Sequence, residues 1–435
     1  MRPLAHRHRR VRITALVAAL AATVLATFVV AGFPAGALDG APDSANDGGA
    51  TWFAHLTPDW DDTNVRSDAG SLRLDASPTG PASIRTSRPQ GMLLTAVHRL
   101  TAPANQVTAE LVADQPAGSA VAVDVRGTRE DGSWTEWVPT TPVPTNLRPM
   151  NLGQGTAKAP AALDTAVTGV QARIMLRGSD GGASPLVRSV RLTAQTVAQT
   201  LAVHPRAAHS YRVFATREGL VGATTANGHV IRERDHFVAL PSRRGLSPRG
   251  SGDYTVKVCS DQGRCEWAPV WDVGPWNTTD DYWNPSDARQ SWPDVPQGRP
   301  QAQAAYDDGH NGGKDQFGRQ VRNPAGIDLA DGTFWDGLGL RDNSWVTVTY
   351  LWTDGGPLAI VRMPLLHVRS GPGAHHPAVG LAAQRATLRV ECTVVGQLVN
   401  GNQGSTDQWL RIGPHQYVSA AHVAIQGAGR SCITP

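Results

Sequence analysis

The chain has 435 residues, which is enough for about three domains of ordinary size. With 45 Gly, 31 Pro and 40 % apolar residues, the composition favours short strands joined by turns over long helices. The formal net charge of +3 depends on five arginines that all lie before residue 13, and the rest of the chain is slightly acidic. The charge therefore gives no argument for nucleic-acid binding, and we predict no nucleic-acid partner.

The N-terminus has the organisation of an export signal. The arginines precede an uncharged run over residues 13–33, and Ala35-Gly36-Ala37 forms a small-x-small site that signal peptidase accepts. We predict a signal peptide over 1–37 and a polar linker over 38–50, which makes the mature protein secreted or wall-associated with no membrane contact. An uncleaved membrane anchor is the alternative, because the apolar run approaches the ~20 residues that span a bilayer.

Residues 51–194 alternate apolar and polar positions in short runs, for example over 121–126. Glu130-Asp131-Gly132-Ser133 is a hairpin signal between such runs. The pattern predicts a β-sandwich, followed by a low-complexity linker over 195–209. The stretch 129–138 resembles the sandwich modules that precede catalytic domains in secreted actinobacterial wall amidases.

Two acids mark the ends of strand-like apolar runs in the region 210–353. Asp272 stands before Val273-Gly274-Pro275, and Asp328 lies within Gly326-Ile327-Asp328-Leu329-Ala330. Eight of the thirteen Trp fall from Trp267 to Trp352, around these acids. Carboxylates among indole rings are typical of a site that holds a sugar ring and moves a proton at a glycosidic oxygen.

The order of motifs in this region resembles the double-psi β-barrel group, which includes rare lipoprotein A, expansins and the barrels of some lytic transglycosylases. The matching pieces are the strand 211–216, the glycine-bracketed loop Gly222-Ala223-Thr224-Thr225-Ala226-Asn227-Gly228, the strand 235–241 ending in Leu240-Pro241, the turn Asp272-Val273-Gly274-Pro275 and Gly326-Ile327-Asp328-Leu329-Ala330. The resemblance implies a six-stranded double-psi barrel over 210–353. Ala330 departs from the family, which usually has Ser there.

The resemblance also implies roles for individual residues. Asp328 is the candidate proton donor, and Asp272 is the acid that lines the groove. Asp235 or His236 matches a third polar position, and Asn227 in the glycine-bracketed loop is a further candidate for substrate binding. A lytic transglycosylase works with one carboxyl whose pKa is raised by an apolar shell, whereas a glycosidase needs two acids at ~5–5.5 or ~6.5–9.5 Å. The sequence leaves both mechanisms open.

A long insert, 277–325, separates the last two motifs, and it is rich in Trp, Asp, Asn and Gly. It either forms one wall of the groove or covers the groove. Trp276, Trp283 and Trp292 have loop-like polar surroundings, so we predict that they stack against substrate, although core packing is the common role of Trp.

The region 362–428 resembles bacterial SH3 domains. Leu366-His367-Val368-Arg369-Ser370-Gly371-Pro372-Gly373 matches the opening motif, with His367 where Asn is usual. The resemblance implies a small barrel that attaches exported proteins to wall peptide or glycan, with Trp409 and Tyr417 as candidate contact residues. The predicted fold class is all-β: a β-sandwich, a double-psi-like barrel with an insert, and an SH3-like small barrel.

The four cysteines are expected to pair in an exported chain. Cys259 with Cys265 and Cys392 with Cys432 is the simplest of three connectivities, and it leaves no thiol as nucleophile. The chain has no His-Glu-x-x-His and no other convincing zinc spacing, so we predict no metal and no cofactor.

These features predict an exported protein that binds peptidoglycan, with glycan and stem peptide as partners. It either cleaves the glycan through Asp328 or binds it without cleavage, as expansins do. A third alternative is a structural or interaction protein whose groove the insert has closed.

Overall fold

The computed structural model describes residues 50–75, 89–140, 143–144, 160–198, 208–427 and 430–432. The predicted signal peptide, nearly all of the linker after it and most of the linker at 195–209 lie outside these residues. Strands account for 49 % of the structure and helices for 8 %, which confirms the all-β fold class. No helix in the described part is long and apolar enough to cross a membrane.

The first ten strands form one continuous sheet around an aliphatic core that includes Leu72, Val107 and Ile174. All ten strands of the predicted β-sandwich region are connected by hydrogen bonds, and the main path has the order β2-β3-β10-β5-β9-β6-β7. β1 pairs with β10, β4 with β9 and β8 with β5. The strands are β1 Ala50–Phe53, β2 Val65–Asp68, β3 Ser71–Leu74, β4 Gln90–Leu94, β5 His98–Asp114, β6 Ala120–Thr128, β7 Val138–Thr140, β8 Val143–Pro144, β9 Ala161–Arg177 and β10 Leu186–Gln195.

The next six strands close into a barrel, as predicted. Their order around the barrel is β12-β15-β11-β16-β13-β14, and β14 returns to β12. β11 pairs parallel with β15 and β12 pairs parallel with β14, while the remaining pairs in the ring are antiparallel. The strands are β11 His209–Arg217, β12 Val238–Leu240, β13 Thr255–Ser260, β14 Cys265–Val273, β15 Ala325–Leu329 and β16 Ser344–Tyr350.

The insert 277–325 contains two short helices, α1 Gln301–Asp308 and α2 His310–Gly313, and it closes one end of the barrel. Tyr282 is fully buried there: its hydroxyl donates to the carbonyl of Gly326 at 3.0 Å and accepts from the hydroxyl of Tyr350 at 2.6 Å. Gly326 lies near the start of β15 and Tyr350 ends β16. Asp328 lies near the other end of β15 and is half-buried.

The C-terminal strands extend the barrel sheet. β19 pairs parallel with β14, and β18, β23, β22 and β21 follow in that order, while β20, β17 and β24 form a separate sheet. Both predicted disulfides are confirmed, Cys259–Cys265 and Cys392–Cys432. The strands are β17 Leu358–Val361, β18 Leu365–Arg369, β19 Ala378–Ala383, β20 Thr387–Arg389, β21 Cys392–Gly401, β22 Gly404–Gly413, β23 Gln416–Ser419 and β24 Val423–Gln426.

Side chains from the first sheet enter the barrel core just before β7. Trp137 is buried among barrel residues, and its indole nitrogen donates to the carbonyl of Leu246 at 3.1 Å. The neighbouring Glu136 accepts from the indole nitrogens of Trp283 at 2.5 Å and Trp352 at 2.8 Å. These contacts fix the first sheet to the barrel through buried hydrogen bonds.

Candidate functional site

Residues from four adjacent strands form a row on the outer face of the barrel. Asp328 pairs with Thr216 on one side and with Ala239 on the other, and Ala239 in turn pairs with Asp272. The strand neighbours of the row, such as Ile327 and Leu329, belong to the barrel core, so the row points away from it. A register shift at Trp271 gives Asp272 the same orientation. Asp272 and Asp328 therefore share one face, with one strand between them and about 10 Å between their Cα atoms.

Asp328 is half-buried, and the protein surrounds its carboxyl closely. The hydroxyl of Thr216 donates to Oδ1. On the other side runs the turn after Asp272, where a Cβ added at Gly274 would lie 3.5 Å from Oδ2. Burial raises the pKa of Asp328 to about 7; the charge of Asp272 adds to this, and the Thr216 hydrogen bond opposes it. At neutral pH the carboxyl is thus present in both protonation states.

Asp272 is held by two backbone amides. Its Oδ1 accepts from the amide of Ala226 at 2.8 Å and from the amide of Val273 at 2.7 Å. Burial raises the pKa of Asp272, although these amides, a hydrogen bond with Glu218 and the charge of Arg243 act in the opposite direction. Through the bond to Ala226, Asp272 links the loop 222–228 to the end of β14.

Glu218, directly after β11, is an acid beside Asp272 and Asp328 that the sequence analysis missed. Burial, the hydrogen bond and charge of Asp272, and the charges of Asp328 and Asp331 raise the pKa of Glu218 to about 11. Glu218 is therefore protonated at neutral pH and donates a hydrogen bond to Asp272. An acid that follows an apolar strand and precedes Gly219 is the same signal that identified Asp272, and it could have identified Glu218.

The predicted third polar position does not join this row. Asp235 Oδ2 lies 2.6 Å from Nε2 of His229 and accepts from the amide of Arg232 at 2.7 Å. His236 Nδ1 lies 3.0 Å from Oε1 of Glu266, a fully buried acid that also accepts from Thr333. Burial lowers the pKa of His236, but the hydrogen bond and charge of Glu266 outweigh it and raise the pKa. Asp235 and His236 thus contact other partners, and Glu218 is the third polar residue beside Asp272 and Asp328.

Three predicted binding residues are too deeply buried for that role. Asn227 is fully buried, donates to the carbonyl of Ser247 at 3.1 Å and accepts from Thr225 at 2.8 Å. Trp283 is fully buried and stacks on Tyr350 at 5.1 Å, because the insert folds back into the barrel. Trp409 is 3 % exposed, and its indole nitrogen donates to the carbonyl of Gln397. These side chains hold loops and cores in place.

The remaining predicted aromatic residues are half-buried. Trp276 lies on the turn that carries Asp272, and its indole nitrogen donates to Asn323 at 2.9 Å. Trp292 lies in the insert, and Tyr417 lies in β23 opposite Arg369 and Arg411. Of these three residues, Trp276 is the one that lies in the same turn as Asp272. It is therefore next to the acidic row, by which we mean Thr216, Asp328, Ala239 and Asp272 together with Glu218.

The acidic row has no arrangement that identifies a metal centre. In the described parts of the chain, no group of three or more His, Cys, Asp or Glu is placed to hold a metal ion.

Comparison with protein families gives one match within the chain. A family model described as a domain of unknown function (DUF8814) matches residues 209–349. A comparison with curated proteins finds no match. The matched segment begins at the first residue of β11 and ends within β16, so it contains the barrel, the insert and the whole acidic row.

Proposed function

We propose that the acidic row binds a bacterial cell-wall glycan and cleaves it in the manner of a lytic transglycosylase, with Asp328 as general acid and then general base. The observation that carries this proposal is the half-buried carboxyl of Asp328, with a pKa of about 7, on a face that it shares with Asp272. A carboxyl with such a pKa can give a proton to a leaving oxygen and take one from an attacking hydroxyl at the same pH.

The chemistry requires one titrating acid and one lasting negative charge. Protonated Asp328 transfers its proton to the glycosidic oxygen as the bond to the anomeric carbon breaks. In its ionised form Asp272 stabilises the positive charge that develops on the sugar ring, and the hydrogen bond from Glu218 favours this form by opposing the effect of burial. A hydroxyl of the same sugar then attacks the anomeric carbon, and the Asp328 carboxylate accepts the proton of that hydroxyl.

The resemblances and the disulfides support the proposed location at the cell wall. The parallel pairings β11–β15 and β12–β14 support a double-psi arrangement of the barrel, and the motif 366–373 supports an SH3-like C-terminal module that binds wall peptide or glycan. Two disulfides in the described residues suit a protein that is exported to an oxidising compartment.

A second candidate function is wall binding without cleavage, as in expansins. It is favoured by the way that Asp272 is satisfied by two backbone amides and by Glu218, because an acid in such a position stabilises a turn. The third alternative, a barrel that has lost its groove, receives no support from the half-exposed position of Asp328.

Purified sacculi incubated with the wild type and with Asp328→Asn separate these functions. The matched control is Asp261→Asn, since Asp261 is an exposed acid of the same barrel that pairs with Arg212 at 2.8 Å. We expect soluble anhydro-muropeptides with the wild type and the control variant, and none with Asp328→Asn. Co-sedimentation with sacculi without any soluble product would select the non-catalytic binder.

A further inference from the structure

A cleft lies where the three sheets meet. Its volume is about 250 Å³, and its walls come from the first sheet at Trp134, from the barrel at Thr255 and Trp352, and from the C-terminal sheet at Thr387, Arg389 and Gln426. None of the acids of the row lines it. The cleft therefore forms only when the three sheets pack against one another.

The cleft is well separated from the acidic row. Trp352 follows Tyr350, which pairs with His209 at the start of β11, whereas Thr216 of the row stands seven residues further along the same strand. At about 3.3 Å per residue, this places the two regions ~20 Å apart.

The charged groups in the wall of the cleft already have partners within the protein. Asp253 forms an ion pair with Arg126 at 2.9 Å. Arg389 donates to the carbonyls of Leu351 and Gly356, both at 2.9 Å. An ionic ligand would have to compete with these contacts, so the cleft favours a neutral ligand.

The rest of the wall combines one accessible indole ring with neutral hydrogen-bonding groups. Trp134 is half-buried, and the guanidinium of Arg126 lies 3.9 Å from its ring centroid, which fixes the ring. Trp352 is 3 % exposed and belongs to the barrel core, so it forms only the floor of the cleft. The hydroxyl of Thr387 and the amide of Gln426 complete the wall, whereas the hydroxyl of Thr255 donates to the carbonyl of Gly252 at 2.8 Å. A ring with apolar faces and several hydroxyls matches such a surface, and a volume of about 250 Å³ accepts about one such ring.

We propose that this cleft is a second carbohydrate site, which binds one neutral hexose unit, N-acetylated or not, independently of the acidic row. Because Arg126 holds the indole of Trp134 in place, the site is formed before the ligand arrives and little ordering opposes binding. The proposal concerns other residues than the proposed cleavage and does not depend on it.

The experiment titrates the full exported chain with N-acetylglucosamine and, in a parallel arm, with a neutral dipeptide, and follows intrinsic fluorescence and saturation-transfer NMR. Trp134→Ala removes an indole from the wall, and Ile360→Trp fills the cleft from the C-terminal sheet. Trp60→Ala is the matched control, because Trp60 is 66 % exposed and lies outside the cleft. Thermal unfolding of each variant establishes that it is folded.

We expect saturable binding of the sugar, weakened ~10-fold or more in both cleft variants and unchanged in Trp60→Ala. Absence of saturable sugar binding, unchanged binding in the folded Ile360→Trp variant, or binding of the dipeptide alone would each overturn the proposal. Release of muropeptides from sacculi is a separate readout, so failure of cleavage at Asp328 is distinguishable from failure of this cleft.

Discussion

Asp272 and Asp328 reach the same face of the barrel from two strands that lie on either side of Ala239, which pairs with both. Glu218 donates a hydrogen bond to Asp272, while the separate carboxyl of Asp328 has a pKa of about 7. The three carboxyls are thus a hydrogen-bonded pair and a single acid that titrates near neutrality, and the predictions on Asp328 and Glu218 test this division.

Stability should fall as the pH rises from acid to neutral. Burial raises the pKa of Asp328 from 3.8 to about 7, so its contribution is complete below the unfolded value and is lost as the pH rises through the folded one. From about pH 5 to about pH 8 we expect the free energy of unfolding to decrease by on the order of 2 kcal/mol from this group. Urea unfolding across this range measures it.

Asp328→Asn should remove that part of the slope. A slope is expected to remain, because burial also raises the pKa of Glu218 to about 11 and those of Asp62 and Asp280 to about 6. Identical pH profiles for the wild type and Asp328→Asn would contradict the assignment.

Substitutions of Glu218 should differ in their effect on stability, according to whether the new side chain can still donate a hydrogen bond to Asp272. Glu218→Ala removes the hydrogen bond to Asp272 and leaves a buried carboxyl with one partner fewer, which we expect to cost ~1–3 kcal/mol of stability. Glu218→Gln keeps a donor of the same length and should remain close to the wild type. Urea midpoints of the two variants are the measurement, and equal losses in both would show that Glu218 does not donate to Asp272.

Glu136 should be needed to hold the first sheet on the barrel. Glu136→Ala leaves the indole nitrogens of Trp283 and Trp352 and the amide of Asn284 without this acceptor. Since these are buried or half-buried donors, we expect a loss of ~2–4 kcal/mol in thermal or urea unfolding. Glu130→Ala, at an exposed position in the same hairpin, serves as the control and should unfold like the wild type.

The two disulfides should contribute unequally. Cys392–Cys432 closes a sequence separation of 40 residues and Cys259–Cys265 one of 6. From loop entropy we expect losses of ~4 and ~2 kcal/mol, respectively, when each pair is replaced by Ser. Unfolding of the two double variants under the same non-reducing conditions compares them, and a larger loss for the shorter loop would contradict the expectation.

The strand-end acids were predictable because their signal is local. An acid that interrupts an apolar run just before backbone-bending residues identified Asp272 and Asp328, and the structure brings both to one face. Glu218 carries the same signal but follows the polar Arg217, which obscures the apolar run. The disulfides were predictable for a similar reason, since a short turn separates Cys259 from Cys265.

What the sequence could not show depends on contacts between distant segments. Trp283 and Asn284 stand in a polar stretch, and their burial requires Glu136 to approach from the first sheet. Asn227 is buried because Ser247 offers a carbonyl across the loop. No local sequence pattern predicts contacts between such distant segments. Trp283 and Asn227 were therefore predicted as binding residues, whereas both are fully buried.

The parallel pairing of β14 with β19 has a consequence for any polymer that this protein engages. Residues 265–267 pair with 380–382 within one continuous sheet, so the C-terminal strands continue directly from the barrel. Contact points on the two parts then keep a constant spacing and angle, unlike modules on a flexible tether, whose second contact depends on linker length. The repeat distance along a chain-like target would therefore decide whether both contacts form at once.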